Sequence, residues 1–340
     1  MGRRRHLEGA LLPLRDAGEP LELAAVGRDS RVLDDLADQY SLRVFGSLDR
    51  ALAAEQWDVY FDANRPIGRE ERLTSVINAG IDVYSEKPLA LSLDSARRLQ
   101  ALVTSSKING FIVADKLFTP GFRALRHVLD GELLGDVLDV RGDFGYFIDS
   151  GLDGKKPQRP SWNYQSSAGG SLFPDLYSHW TYMVEMIAPI SSVASIARTH
   201  IPQRKNEAGE VFTADVPDTA HVIGCLENGA TLSLSTSWVY RPAVPFSMRV
   251  TGRSAAAEVS PTHCVVHHAN GDRTDAVSAY NVSSEDEFLL QWIQVLLGHR
   301  GEASTSLRFA DAVQQAIVCD ALERSAAIGA TVSIAARGAA

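Results

Sequence analysis

From Leu21 to about Ala114 the chain alternates short apolar runs with segments of helical period. Leu21–Val26, Trp57–Phe61, Ile81–Tyr84 and Phe111–Ala114 read as strands. Val32–Tyr40, Arg69–Ala79 (stopped by Gly80) and Ser92–Ser105 read as helices between them. This strict alternation predicts an α/β fold with a doubly wound, Rossmann-like parallel sheet, whose ligands lie beyond the carboxyl ends of its strands.

After Thr119-Pro120 the pattern changes, and a boundary there divides the chain into 1–119 and 120–340. A helix over Phe122–Leu129 and a strand over Val137–Phe147 lead into a long Gly-, Pro-, Lys- and Gln-rich loop. A mostly antiparallel open sheet is expected next, from Val193–His200, His221–Leu226, Thr231–Trp238, Ser247–Thr251 and Cys264–His268. Asn228-Gly229 supplies the hairpin turn between two of these strands. Helices over Glu285–Leu297 and Arg308–Ala327 close the chain.

The stretch Gly169-Gly170-Ser171-Leu172-Phe173-Pro174-Asp175 reads as a helix start. Ser171 is the expected cap, Pro174 is tolerated in the first turn, and the helix runs to about Ile187. Asp175, His179, Tyr182 and Met186 then fall within about 60° of one another, on the shoulder of an apolar stripe. An Asp four residues before a His is also an ordinary local pair in a helix, so the spacing alone leaves a structural reading open.

The chain has 340 residues, 45% hydrophobic and 22% charged, which is ordinary for a globular protein with a sizeable core. Its net charge of −9 disfavours nucleic acid as a general partner. Three widely spaced cysteines (Cys225, Cys264, Cys319) among apolar neighbours suggest buried thiols in a reducing compartment, hence the cytoplasm. No apolar run is long enough to cross a membrane, and no signal peptide is evident. Cys264 with His267 and His268 invites a metal reading, but strand alternation sends the two histidines to opposite faces, so no metal is expected.

Several segments, in order, resemble one family. Ser85-Glu86-Lys87-Pro88 at a strand end is similar to the EKP motif of the Gfo/Idh/MocA oxidoreductases, the glucose-fructose oxidoreductase and inositol dehydrogenase family. Gly80-Ile81-Asp82-Val83 precedes it, Asp115-Lys116-Leu117-Phe118 crosses to the second half, Gly131-Glu132-Leu133-Leu134-Gly135 resembles a GxLG turn, and Gly169-Gly170 with Asp175 and His179 resembles the GG…DxxxH helix. The start departs from the pattern: Gly2-Arg3 looks like the tail of a Gly-rich phosphate-binding turn, without the strand that normally opens it. The chain begins at an internal methionine, or it has lost the phosphate cradle, or Met1–Arg5 is simply a basic disordered start.

The resemblance implies hydride transfer between a nicotinamide and a hydroxyl-bearing carbon of a sugar, cyclitol or related polyol. Lys87 and His179 match the acid/base positions. A free lysine titrates near about 10.4 and histidine near about 6.5, so His179 needs less tuning. The expectation is His179 as acid/base, Asp175 orienting it or binding substrate hydroxyls, and Lys87 polarising the reacting oxygen, with the reversed roles also open. Cofactor-side residues are Gly2, Arg3, Arg28, Asp29, Asn64, Pro66, Glu86, Lys87 and Pro88. Arg28 after the Leu21–Val26 strand favours NADP, while Asp29 keeps NAD open. Asp115, Lys116, Arg159, Trp162, Asn163 and Tyr164 join Asp175 and His179 as substrate-side candidates, with His200 and Arg204 as outlying additions. The family implies a homodimer or homotetramer. A non-catalytic binding relative, and a Lys/His/Asp lyase or hydrolase on the same scaffold, are the competing readings.

Overall fold

The computed structural model describes residues 2–152 and 159–335, so residues 153–158 of the long loop lie outside the described residues. The N-terminal half carries three parallel strands, Val59–Asp62, Asp82–Ser85 and Gly110–Ile112, side by side in that order. Ala24–Val26 and Arg43–Phe45 pair in parallel as a separate ribbon. The single sheet expected from the alternation is thus two, since no strand among the described residues joins them. The first helix, Gly2–Leu11 continued by Leu12–Asp16, packs instead on the three-stranded sheet. Its buried His6 lies 4.2 Å from the Phe61 ring and 4.8 Å from Phe288.

Helix starts follow the sequence closely because their caps are local. Asp29 accepts the amides of Arg31 and Val32, Ser47 that of Arg50 and Ser92 that of Ser95. The helices Ser30–Tyr40, Arg69–Asn78 and Leu93–Ser106 begin and end within about two residues of the expected bounds, the usual scatter of helix ends.

The C-terminal half is built on a nine-stranded sheet. Its centre is Val137–Phe147, parallel to Thr231–Ser237 and antiparallel to Val239–Gly252 on its other side. Thr219–Leu226 pairs with Thr231–Ser237 through the Asn228-Gly229 turn, where Gly229 takes φ +86°. The pattern missed Ala255–Val259, whose alanines carry little strand preference, and Arg273–Asp275, Val332–Ser333 and the hairpin Gln203–Lys205 with Val211–Thr213, each of three residues or fewer.

The helix Phe309–Ile328 covers one face of this sheet: Ser195 Oγ donates to Leu322 O at 2.6 Å and Ser325 Oγ accepts Ser195 N. On Ile190–Arg198 and Thr219–Leu226, Ile196 and Ile223 are each 64% exposed. Cys264 and Cys319 are buried and burial pushes the Cys264 thiol up to about 12, but Cys225 is exposed, contrary to the expectation from its apolar neighbours. No helix among the described residues is long and apolar enough to cross a membrane.

The last two helices return to the N-terminal half. Phe288, Trp292 and Val295 of Glu287–His299 share a core with Ala10, Leu14, Tyr84, Phe111 and Val113. Phe309 and Ala312 share another with Leu73, Val83 and Ile112. Leu307 O accepts the Ile112 amide at 3.0 Å, so the chain end also caps the parallel sheet.

Between the halves, the helix Pro120–Asp130 starts against a turn of the large sheet. Gly121 donates to Pro261 O at 2.9 Å, and a Cβ there would lie 1.9 Å from Ser260 O and 2.5 Å from His263 O. Both obstacles are backbone and cannot rotate away. Gly121→Ala is expected to cost about 3 kcal/mol, measured as a shift of the urea unfolding midpoint; an unshifted midpoint would show that the turn yields freely.

Candidate active site

One side of the site is the end of the strand Asp82–Ser85, all four residues of which are buried. It delivers Glu86, Lys87 and Pro88, with a cis Lys87–Pro88 peptide. Behind this turn sits Arg69, 1% exposed at the start of its helix. Arg69 donates from Nε to Asp62 Oδ2 at 2.7 Å and from Nη1 to Glu86 O at 2.8 Å, and also reaches the carbonyls of Pro88 and Asn64. Asp62 is fully buried and also accepts from Asn64 Nδ2 (2.9 Å) and Arg72 Nη2 (3.2 Å). One guanidinium thereby holds the carbonyls on both sides of Lys87. Arg69 was not singled out in the sequence because an arginine at a helix start carries no distinguishing pattern.

Glu86 faces inward, 7% exposed, with Oε1 3.3 Å from His6 Nε2. Trp292 Nε1 donates to His6 Nδ1 at 3.2 Å, which leaves Nε2 to carry the proton toward Glu86.

The other side is the Asp175/His179 segment, which is not one regular helix. Phe173–Tyr177 forms a wide turn in which the Ser178 amide reaches back to Phe173 O, and only Ser178–Val184 is α-helical. Ser171 does not cap it; its hydroxyl donates to Glu323 at 3.0 Å. The helix is anchored to the large sheet by Trp180, whose Nε1 donates to Thr236 Oγ1 at 2.9 Å and whose ring stacks on Phe246 at 4.4 Å.

Widening the turn by one residue breaks the expected Asp175/His179 row. Asp175 binds Lys87 Nζ through Oδ1 at 2.8 Å and Arg159 Nη2 through Oδ2 at 2.6 Å. It does not orient His179. His179 Nδ1 lies 2.6 Å from the Tyr182 hydroxyl, which donates to Asp115 Oδ1 at 3.1 Å, while Lys116 Nζ holds Asp115 Oδ2 at 2.6 Å. Because the Tyr182 proton goes to the carboxylate, Nδ1–H must donate to the tyrosine oxygen, leaving the Nε2 lone pair open. Nε2 makes no hydrogen bond among the described residues. Tyr182 stood on the Asp175/His179 row in the sequence without a role, and its link to Asp115 spans 67 positions, beyond any local signal.

The charges follow from these contacts. Burial works against the Asp175 carboxylate, but Lys87 and Arg159 outweigh it and hold the group below its ordinary range. Burial likewise opposes the charge on Asp115, which His179 and Lys116 hold well below the usual value. His179 is lowered, first by burial and then by the Lys87 cation, against the pull of Asp115, so the imidazole is neutral at pH 7. Burial, followed by the Asp115 charge, raises Tyr182 well above its usual value.

The long loop supplies a wall. Arg159 lies over the Trp238 ring at 4.7 Å; Asn163 Oδ1 accepts from Arg159 Nη2 at 3.2 Å. Tyr164 packs edge-on to Trp238 and under the Arg204 guanidinium. Trp162 sits beneath Arg65 at 5.4 Å, tying the loop to the turn Asn64-Arg65-Pro66. The loop closes tightly at Gly170, where a Cβ would lie 2.5 Å from Trp162 O. Among the described residues His200 contributes its backbone amide, to Asp218.

The cofactor-side candidates spread along the carboxyl edge of the parallel strands. Gly2 abuts the turn after Val59–Asp62, where an added Cβ would be 2.6 Å from Ala63 Cβ. Pro66 is buried. Arg3 is committed to Glu8 at 2.9 Å and to Gln39, away from Lys87. Arg28 is exposed beyond Ala24–Val26, while Asp29 is engaged as the cap of the next helix. Arg28 thus stands after Ala24–Val26 and Lys87 after Asp82–Ser85, each past the carboxyl end of a parallel strand.

Two family models cover most of the chain. Residues 6–112 match the oxidoreductase family with an NAD-binding Rossmann fold, and residues 122–258 match the GFO/IDH/MocA C-terminal domain. The chain belongs to the Gfo/Idh/MocA oxidoreductase family. It is 32% identical to the D-xylose dehydrogenase of Paenarthrobacter nicotinovorans over 283 residues, 78% of this chain and 72% of that one. It is 23% identical to the trans-1,2-dihydrobenzene-1,2-diol dehydrogenase of Mus musculus, over 74% of this chain and 71% of that one. Among solved structures, levoglucosan dehydrogenase in complex with NADH and L-sorbose superposes with a TM-score of 0.82 at 18% identity, covering 93% and 90% of the two chains. That likeness shows the shared Gfo/Idh/MocA fold.

Two measurements test this geometry. The His179 imidazole should titrate below about 6.5 by proton NMR, and Lys87→Met should raise its midpoint by removing a facing cation. The unfolded chain takes up this proton below about 6.5 while the folded chain resists it, so this group's contribution makes stability fall as pH drops through that window. A midpoint at or above 6.5 contradicts the burial seen here. Arg69→Met should cost about 3–5 kcal/mol in chemical denaturation, since it strips the buried Asp62 of its main partner.

Proposed function

We propose that this chain is an NAD(P)-dependent dehydrogenase or reductase of a sugar, cyclitol or related polyol, with His179 as the proton-transferring group. The observation that carries this reading is the open Nε2 of His179, set by the Nδ1–H, Tyr182 and Asp115 series a short way from the Lys87–Asp175 pair. A bound nicotinamide would supply the hydride-accepting or hydride-donating carbon. Residues 1–119 would hold it, with Glu86, Lys87 and Pro88 at the nicotinamide and Arg28, Asp29, Asn64 and Pro66 farther along the edge. Residues 120–340 would hold the substrate.

In this reading Lys87, fixed by Asp175, points its ammonium at the reacting oxygen and favours negative charge there. His179 takes the hydroxyl proton in oxidation and returns it in reduction. Tyr182 and Asp115 keep the imidazole in the tautomer that can do so, while Arg159 keeps Asp175 charged. Relatives named for D-xylose, a dihydrodiol and levoglucosan support a hydroxyl-bearing carbon of a sugar or related polyol as the reacting group.

Exposed Arg28, with Asp29 spent on its helix cap, supports NADP over NAD, because an arginine can pair with the 2′-phosphate. The exposed isoleucines of the open sheet support pairing of two copies through that face. The buried thiols Cys264 and Cys319 suit a reducing, cytoplasmic setting.

Fluorescence titration with NADPH and NADH should show binding, NADPH the tighter, and D-xylose should be oxidised at a rate that His179→Asn and Lys87→Met each lower about 10²- to 10⁴-fold. For oxidation, the fall in rate on the acidic side, below about pH 6.5, should disappear in His179→Asn. Turnover without any nicotinamide would favour a lyase or hydrolase, and absence of both binding and turnover a non-catalytic binding subunit.

A further inference from the structure

Hydrogen-bond donors without acceptors collect beside this site. Arg204, on the short strand Gln203–Lys205, is 2% exposed, and its Nε, Nη1 and Nη2 have no hydrogen-bond partner among the described residues. Its ion-pair partner Asp218 is 3.7 Å from Nη2, beyond hydrogen-bond reach. Asp218 is already occupied: its oxygens accept the amides of His200 (2.9 and 3.0 Å) and Ile201 (2.8 Å).

The Arg204 guanidinium lies 4.1 Å from the Tyr164 ring centre. Among the described residues the buried Tyr164 hydroxyl also has no hydrogen-bond partner, nor has the indole N–H of Trp238, whose ring is 5.5 Å from that of Tyr164. Arg159, over Trp238, links this cluster to Asp175 and so to Lys87.

Buried polar groups are nearly always paired, so this many donors in one place call for acceptors from outside the protein chain. All three residues offer protons: the guanidinium as a planar fork, the phenol and the indole as single donors. A partner that only accepts, carries negative charge and is planar meets the fork bidentately; a carboxylate has those properties. A neutral hydroxyl brings its own proton to be placed and offers a single oxygen where the fork presents two parallel N–H groups. A phosphate dianion would add a second negative charge beside Asp175 and Asp218.

We propose that Arg204 and Tyr164, with the Trp238 N–H alongside, form a carboxylate-binding subsite, so that the substrate is a sugar acid. This rests on the dehydrogenase reading above. The carboxylate anchors at Arg204, and the rest of the molecule extends past Arg159 toward Lys87 and His179. The signal in the sequence was weak, because Arg204 and Trp238 lie 40 and 74 positions beyond Tyr164 and come together only when the Gln203–Lys205 hairpin folds over the loop.

The test pairs acids with neutral counterparts: D-glucuronate with D-glucose, D-galacturonate with D-galactose, and D-xylonate with D-xylose. Calorimetric titration of the full chain should show at least one acid binding tenfold or more tightly than its neutral partner. Arg204→Lys keeps the charge but loses the fork, and Tyr164→Phe removes only the hydroxyl. Each should reduce that preference about tenfold or more, with folding checked by circular dichroism.

No preference for any acid, or a preference that both folded variants retain, overturns the subsite. Acid binding without nucleotide binding or turnover keeps the subsite and removes the dehydrogenase reading. Turnover of neutral sugars with no acid preference removes the subsite alone.

Discussion

The ion pair between Lys87 and Asp175 joins the two halves of this molecule at the place where its chemistry is concentrated. One partner stands at the end of a buried parallel strand, the other in a widened turn resting on the large antiparallel sheet. With Arg159 on its far side, Asp175 is flanked by two cations, and both of its oxygens are spent. A lysine so held has one direction in which to present its charge. Neither half contains this arrangement alone, which is why the packing of the two halves and the shape of the site are one problem.

Each arm of the pair is fixed from behind by buried polar contacts rather than by apolar packing alone. Arg69 binds the carbonyls flanking Lys87 and the carboxylate of Asp62, so the turn is held by four partners of one side chain. On the other arm, Trp180 is bolted to the sheet through Thr236 and Phe246. Such networks are costly when any member is lost and rigid when complete, a property suited to holding reactive groups at set distances. The division of carboxylates follows the same logic: Asp175 keeps a cation in place, and Asp115, acting through Tyr182, keeps a neutral imidazole in one tautomer.

The return of the last two helices to the N-terminal half gives the scaffold a second tie. Trp292 and Phe288 close over Tyr84 and Phe111, and Trp292 also sets the ring of His6 against Glu86. The aromatic cluster thus reaches to within one residue of Lys87. Covering a small parallel sheet on both faces in this way is what lets its strands be buried throughout.

Local rules made much of this legible in the sequence. Helix periods and caps placed the helices of the N-terminal half, strand runs and the Asn228-Gly229 turn placed the main strands, and the ordered motifs marked Lys87, Asp175 and His179. Those features depend on residues a few positions apart, whose preferences survive whatever the rest of the chain does. The partners of each charged group were not legible. Asp175 looked paired with His179 until a one-residue widening of the turn sent it to Lys87, 88 positions away; Arg69 had no local mark, Tyr182 stood on the helix row without a role, and Arg204 was only an outlying candidate. A buried charge takes whichever partner the folded backbone brings within about 3 Å, and that is decided by packing between distant segments. The sequence by itself determined which groups were available to the site, and the tertiary structure decided which of them meet.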